Sequence, residues 1–376
     1  MTNRTWTDGG TDNFNDPAAW TPNGAPESGD VLAIAEGNPD ATDLTLQGLT
    51  IGLGANIGVP FSPLGYLPSP VLTLDGSTIG AGTTIVLPAV FRPIVFPALH
   101  DPVTLSTYPA VDQGTLLVTG PNNPAASPIV STNDGTIETA ASGLFAAAGT
   151  LTLDIGVLEN SPESFTAEGY LVNNGVIDAS VGSTILLEGP TPIFYPGQSL
   201  SGMTNDGTID VSGTMNDVAV DISGTGTINL ESSPGYLGLP AKGEFILSNT
   251  YYPAPSIGSG QNFVFNGGEL VLNPQLFGAP IQAIFQGTLS NFGSTPGNTI
   301  ELQDFILSSA SYSAGVLALN GLETPFNPDN PPSGTYQVTN TLKFSSLPRL
   351  GHFVFSETAG NTDITWNSLP FIRPPV

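Results

Sequence analysis

The sequence predicts an all-β chain wound as a right-handed parallel β-helix, a β-solenoid, with Pro-rich loop insertions and a C-terminal β module. Three observations predict it. Glycine and proline supply 45 and 35 of the 376 residues, and a helix interior loses about 1 kcal/mol per Gly and about 3 kcal/mol per Pro, so a mostly helical chain is excluded. Apolar and polar residues alternate in runs such as Thr150-Leu151-Thr152-Leu153-Asp154-Ile155 and at Val218, Val220 and Ile222, the period of a strand with one buried face. One phrase recurs: Asn133-Asp134-Gly135-Thr136-Ile137, Asn173-Asn174-Gly175-Val176-Ile177, Asn205-Asp206-Gly207-Thr208-Ile209 and Gly224-Thr225-Gly226-Thr227-Ile228.

The phrase has a physical reading. Asn and Gly tolerate positive φ, so Asn-Asp-Gly marks a sharp corner, and the Thr/Val-Ile after it opens a strand. Its third residue recurs after 40, 32 and 19 positions. A coil of roughly 20 residues, doubled or carrying an insertion where the interval is longer, fits a solenoid. Asn-Gly and Asp-Gly are also strong hairpin signals, so antiparallel β-sandwich domains are the alternative; the repetition of one phrase near coil spacing favours the solenoid.

Along the chain, residues 1–36 read as an N-terminal cap or entry segment and 37–128 as a Pro-rich β region with long loops. Residues 129–235 form the repeat core, 236–297 further β coils, and 298–376 a C-terminal β module with an extended tail. Residues 59–128 hold 12 of the 35 prolines. Within them Val90-Phe91-Arg92-Pro93-Ile94-Val95-Phe96 is too apolar for a solvated loop, which makes Phe91, Ile94 and Phe96 candidates for burial on the solenoid flank or against a neighbour. In the tail, Phe371 and Ile372 form a candidate docking strand. The C-terminal module reads as alternating strands at 298–302, 315–319, 335–338, 343–344, 352–355 and 362–366, either a compact antiparallel end or further coils.

Charge narrows the partners. Asp and Glu number 32 against 6 Lys and Arg, a net charge of −26. Phosphate backbones and anionic lipid surfaces are repelled, so nucleic acid is not an expected partner. No run of about 18 apolar residues exists, so no transmembrane helix is expected. The first residues lack an apolar stretch of the signal-peptide kind, leaving prior removal or another export route. There is no cysteine, so disulfides are not the staple.

The opening residues Trp6-Thr7-Asp8-Gly9-Gly10, Asn13-Phe14-Asn15-Asp16-Pro17-Ala18-Ala19-Trp20, Gly24-Ala25-Pro26 and Gly29-Asp30 resemble the start of bacterial extracellular β-helix surface proteins, including autotransporter-type passengers and large adhesins. The Asn-Asn-Gly-x-Ile phrases are similar to the coil repeats of that group, and 298–305, 311–319 and 360–366 resemble its recurrent C-terminal strand module. The resemblance implies a β-solenoid at the cell surface or secreted, and it indicates architecture and location more than activity. The membrane barrel of autotransporters and the RTX nonapeptide are not visible.

Catalytic chemistry is not expected. A β-helix lyase acting on acidic sugars needs a basic cleft, whereas Arg4, Arg92, Lys242, Lys343, Arg349 and Arg373 are all at least six positions apart. Glycoside hydrolysis needs clustered carboxylates, and Gly351-His352 with Asn361-Thr362-Asp363 only echoes polygalacturonase signatures, in the wrong order. The two histidines, His100 and His352, flank no Gly-x-Ser-x-Gly elbow, and two histidines with no cysteine argue against a structural zinc site. No cofactor is required. Calcium is the one metal the chain could take, at Asp8, Asp12 and Asp16, where oxygen ligands crowd a Gly-rich turn; Asx turns use the same residues.

The expected function is therefore that of a non-enzymatic structural subunit. It would be a homo-oligomer or polymer in an extracellular bacterial filament, fibre or surface layer. The alternative is a monomeric adhesin that binds cell-surface glycan, with Tyr195, Tyr251 and Tyr252 as stacking candidates.

Overall fold

The computed structural model describes residues 2–7, 11–34, 38–42, 44–53, 71–75, 77–81, 83–87, 90–91, 113–119, 129–139, 146–147, 150–156, 169–180, 183–188, 202–216, 218, 220–234, 240–248, 255–273, 281–323, 336–348 and 351–368. Within them the structure is β, apart from the 3-10 turn Pro17–Ala19 and the single helical turn Ile281–Ile284. No described helix is long and apolar enough to cross a membrane.

The chain visits three sheets in rotation. The first receives Val31–Ile34, Thr50–Leu53, Thr84–Leu87, Thr136–Thr139, Val176–Ala179, Thr208–Val211, Thr227–Pro234, Asn262–Asn266 and Thr288–Ser290, each parallel to the next. The second runs from Thr11–Asn13 through Thr150–Gly156 and Thr184–Glu188 to Thr299–Leu302, again in parallel. The third stacks Thr45–Leu46, Thr78–Ile79, Ile129–Asn133, Gly169–Asn173, Gly202–Asn205 and Asp221–Ser223. Up to Ser223 each circuit from Val31 on adds one strand to each sheet, and beyond it the third side continues as single bridges at Ile257 and Phe285, which is a parallel β-solenoid.

The bare circuit is 19 residues, since Val31 lies opposite Thr50 and Thr208 opposite Thr227. The 40-residue interval is not a doubled coil, because Asn133 pairs directly with Asn173 on the next strand. It is one circuit carrying an insertion. Insertions avoid one corner. Between the third sheet and the first, the connections after Leu46, Ile79, Asn133, Asn173, Asn205 and Ser223 hold two to four residues. The long segments, including the Pro-rich ones, fall at the other two corners.

The recurrent isoleucine fills the core. Leu32, Ile51, Ile85, Ile137, Ile177, Ile209, Ile228, Phe263 and Leu289 follow one another in register up the first sheet, all fully buried. Ile137, Ile209, Ile228 and Leu289 are each flanked on both sides by half-buried polar neighbours, which explains the alternation in that part of the sequence. Burying such a side chain is worth about 1.5–3 kcal/mol, and the stack repeats that gain at every circuit.

The short corner is locked by polar groups. Asn133, Asn173 and Asn205 are completely buried. Asn133 Nδ2 donates to Asn173 Oδ1 at 2.7 Å, Asn173 Nδ2 to Asn205 Oδ1 at 2.7 Å, and Asn205 Nδ2 to Gln261 Oε1 at 2.9 Å. Between Asn205 and Gln261 one circuit has Gly224-Thr225-Gly226 in place of Asn-Asp-Gly. A Cβ on Gly226 would lie 2.5 Å from Asn205 Nδ2, so the glycine leaves the path open for the amide to reach one circuit further. Gln261 closes the run by donating to the carbonyls of Asn205 at 2.9 Å and Ser223 at 2.7 Å. Beside the amides, Gly135, Gly175 and Gly207 stack so tightly that a Cβ on Gly175 would meet the Gly135 carbonyl oxygen, and one on Gly207 that of Gly175.

The N-terminal end is plugged. Asn3–Trp6 pairs antiparallel with Trp20–Thr21, and Trp6 meets Trp20 edge-on at 5.1 Å, with Phe14 against Trp20 at 5.4 Å. Trp20 Nε1 donates to the Phe14 carbonyl at 2.8 Å. Asp30, almost fully buried, binds Arg4 Nε at 2.8 Å and the backbone N–H of Thr2 at 2.7 Å. These contacts, the guanidinium foremost, hold its carboxyl at about 2.

Replacing Asn173 by Ala strips the donor from Asn205 Oδ1 and the acceptor from Asn133 Nδ2. Leaving buried polar groups unpaired costs about 1–3 kcal/mol each, so Asn173→Ala is expected to lose about 2–4 kcal/mol. Exposed Asn174→Ala should lose under about 1 kcal/mol. Thermal melts followed by circular dichroism compare the two, and equal losses would contradict the role given to the buried ladder.

Candidate functional site

The two ends of the solenoid differ. At the N-terminal end the three sheets stop in the short strands Trp20–Thr21, Thr11–Asn13 and Thr45–Leu46, and Pro22 follows the first of them. At the C-terminal end the first sheet turns antiparallel. Thr288–Ser290 pairs in parallel with the end of Tyr336–Phe344, which is then joined antiparallel by Val316–Glu323 and that by Phe305–Ser313. In the second sheet Thr299–Leu302 pairs antiparallel with Asn361–Asn367, and His352–Thr358 lies outermost. Among the described residues, Phe305–Ser313 and His352–Thr358 are therefore the last strands of their sheets.

Tight turns build this end. Ala314 and Gly315 take φ of 50° and 82° between the paired residues Ser313 and Val316, and Ala359 and Gly360 take 53° and 92° between Thr358 and Asn361. Positive φ at both central residues is the type I′ pattern that matches strand twist. Alanine stands at the first position, which normally favours Asn, Asp or Gly.

Aromatic rings join the two sheets here. Phe353 lies 5.4 Å from Tyr312, 5.4 Å from Phe344 and 5.1 Å from Trp366, and Phe292 lies 5.5 Å from Phe344. Phe292 and Phe344 are buried, Phe353, Phe355 and Trp366 half-buried, and Tyr312 is 43 % exposed. The large hydrophobic side chains exposed among the described residues are Ile306, Tyr312, Val316 and Val354. All four belong to this end. Beneath it, Glu323 is buried with one oxygen accepting from Asn340 Nδ2 at 3.2 Å and the other unpartnered; burial raises its carboxyl, the hydrogen bond from Asn340 opposing it.

The outer face of the first sheet carries a different feature. Glu138, Asp178 and Asp210 stand in register on successive strands, about 4.8 Å apart along the ladder. Burial first, then the charges of Asp210, Glu138 and Glu231, pushes Asp178 up to about 6. The row ends where Asn229 donates to Asp210 Oδ1 at 2.6 Å, an amide replacing a fourth acid. Among the described residues no group of three acidic or histidine side chains is disposed to hold a metal ion.

The residues singled out from sequence are placed unevenly. Asp16 caps the Pro17–Ala19 turn, its Oδ1 accepting from the Ala18 N–H at 2.8 Å, and Asn13 makes the matching turn to Asn15 N at 2.8 Å. Asp12 lies in the strand Thr11–Asn13, its side chain outside the described set, and Asp8 lies outside the described residues altogether. Phe91 falls in the short strand Val90–Phe91, which pairs antiparallel with Ala146–Ala147; its side chain is not described. Ile94, Phe96, Phe371, Ile372, Tyr195, Tyr251 and Tyr252 lie outside the described residues. Of the basic residues, Arg4 pairs with Asp30 and Lys242 with Glu269 at 3.4 Å and Thr299 at 2.8 Å, while Lys343 is exposed and Arg92, Arg349 and Arg373 are outside the described set. A surface cavity of about 170 Å³ beside Phe14, Ser28 and Gln47 is smaller than the roughly 300–1,000 Å³ of ligand pockets. Comparison of the chain with protein-family models, with curated proteins and with solved structures returns no match in any of the three.

The acidic row has a measurable consequence. Asp178 binds a proton more tightly folded than unfolded, so its penalty is absent at low pH and develops as the pH rises from about 4 to about 6. With the carboxylate's open side screened by water, the penalty is on the order of 1 kcal/mol. Asp178→Asn is expected to raise the melting temperature by about 1–3 °C at pH 7.5, with the gain shrinking toward zero near pH 4. A gain independent of pH would refute the charge account.

Proposed function

We propose that the protein is a non-enzymatic structural subunit that associates with copies of itself in an extracellular bacterial assembly, a filament, fibre or surface layer built of solenoids. The observation that carries this reading is the contrast between the ends. One is closed by a tryptophan plug and short strands, and the other ends in long strands with exposed Ile306, Tyr312, Val316 and Val354. Exposed strand edges are templates for pairing, and natural monomers blunt them.

Electrostatics supports the same end as the contact. A chain with net charge −26 repels its own copies, so contact is cheapest where carboxylates are sparse. The Phe305–Ser313 strand has no charged residue. The apolar runs around Phe91, Ile94 and Phe96 and around Phe371 and Ile372 are proposed as further contacts. A second reading, a monomeric adhesin that stacks sugars, draws on the partly exposed rings of Tyr312, Phe353 and Trp366.

Light scattering and negative-stain microscopy test the proposal. Purified protein should form oligomers or polymers, and association should strengthen between about 20 mM and 500 mM NaCl, because salt screens repulsion between like-charged copies. A protein that stays monomeric at high concentration across that range, yet binds glycans on an array, would favour the adhesin reading.

A further inference from the structure

We propose that the Phe305–Ser313 strand is a docking edge whose occupant is the same strand of a second copy, paired antiparallel about a two-fold axis at Ser311. This rests on the self-association reading and assigns it a contact and a symmetry.

Beyond the register shift between Leu307 and Ser309, the edge has none of the guards of shortness, charge or proline. Its nine residues, Phe-Ile-Leu-Ser-Ser-Ala-Ser-Tyr-Ser, contain no charge and no proline, and Ser308 to Ser313 are exposed on both faces. The other outer strands of the three sheets are guarded: four are of two or three residues, and His352–Thr358 carries His352 and Glu357. Shortness, charge and proline are what discourage pairing.

Backbone directions follow from the hairpin. In a two-residue I′ hairpin the flanking residues, here Ser313 and Val316, exchange hydrogen bonds, and bonded and non-bonded pairs then alternate. Ser311 with Ala318 is therefore bonded, whereas Tyr312 opposite Leu317 and Ala310 opposite Leu319 are not. The N–H and C=O groups of Ala310 and Tyr312 consequently point to the open edge, spaced as an antiparallel partner requires. Centring the axis on Ser311 sets Ala310 against Tyr312 of the second copy and Tyr312 against its Ala310, with four backbone hydrogen bonds between them.

Side chains suit that register. Ala310 and Tyr312 share a face, so each tyrosine ring lies over the small alanine of the opposite strand, next to the ring of Phe353 5.4 Å from its own Tyr312. On the other face Ser309, Ser311 and Ser313 meet serines only. No carboxylate enters the contact, which suits two bodies that each carry −26. A two-fold contact of this kind is self-complementary and closes on itself, so it yields a tail-to-tail pair, and longer assembly needs a second surface.

The chain has no cysteine, so a single introduced thiol reports geometry cleanly. Ser311 faces its counterpart as a non-bonded pair, with Cα atoms about 4.5 Å apart, within disulfide range. Ser311→Cys is expected to form a covalent dimer under mild oxidation at least tenfold faster than Ser356→Cys, placed on the other outer strand. Ala310→Pro removes one outward N–H without touching a bond to Val316–Glu323, and should weaken association at least tenfold while the circular dichroism stays unchanged. If the wild type associates but Ser311→Cys is no faster than Ser356→Cys and Ala310→Pro associates normally, the edge assignment is overturned and self-association stands. A monomeric wild type overturns both. Should Ala310→Pro fail to fold, the cysteine comparison decides alone.

Discussion

The structure depends on one corner. Where the third sheet turns into the first, buried asparagine amides bond circuit to circuit from Asn133 through Asn173 and Asn205 to Gln261. An amide has two donors and one acceptor oxygen, and stacking identical residues at the strand repeat lets each oxygen meet the next amide without water. The neighbouring glycines have no room for a Cβ. Together these conditions set the register, because a slip of one residue would bury the wrong side chain and leave amides unpaired.

That constraint explains where the chain can vary. This corner keeps two to four residues in every circuit from Leu46 to Ser223, with apolar Leu46 and Ile79 preceding the amides that begin at Asn133, while the other two corners take insertions of very different length. Loop closure entropy grows only slowly with length, so long excursions cost little once both flanking strands are held by the ladder and the Ile51-to-Leu289 stack. The pattern of 40, 32 and 19 is thus one circuit with varying cargo at its permissive corners.

The repeat was legible in sequence because one residue type serves one physical role at each level. Asn-Asp-Gly gave the corner and Ile the core, and the parallel register followed. Trp6, Phe14 and Trp20, which carry the resemblance at the start of the chain, pack edge-on against one another at the first circuit. The Phe305–Ser313 strand was not foreseen. Its run of small polar residues lacks the alternation that marks a half-buried strand, because both its faces meet solvent. The turns beside it, Ala314-Gly315 and Ala359-Gly360, carry alanine where Asn or Asp would have signalled a hairpin. Similarly, 335–338 and 343–344 read as two strands but form the single strand Tyr336–Phe344, with fully buried Asn340 in its middle, its Oδ1 accepting from the Ile281 N–H at 2.7 Å. The ring cluster around Phe353 draws on five separate stretches of chain, so no local pattern announces it.

A solenoid must end somewhere, and each end exposes backbone that the next circuit would have paired. The N-terminal end solves this with tryptophan, an ion pair and brevity. The C-terminal end reverses strand direction, which stops parallel addition from this chain yet leaves antiparallel edges. Under the proposed self-association, an edge without charge on a body of net charge −26 would be a favoured place of contact. On that proposal net charge would act as selectivity, opposing contacts between carboxylate-rich surfaces and leaving the uncharged edge as the path of least repulsion. The acidic row on the first sheet fits this division, since Glu138, Asp178 and Asp210 place their mutual repulsion on a flank rather than at the end.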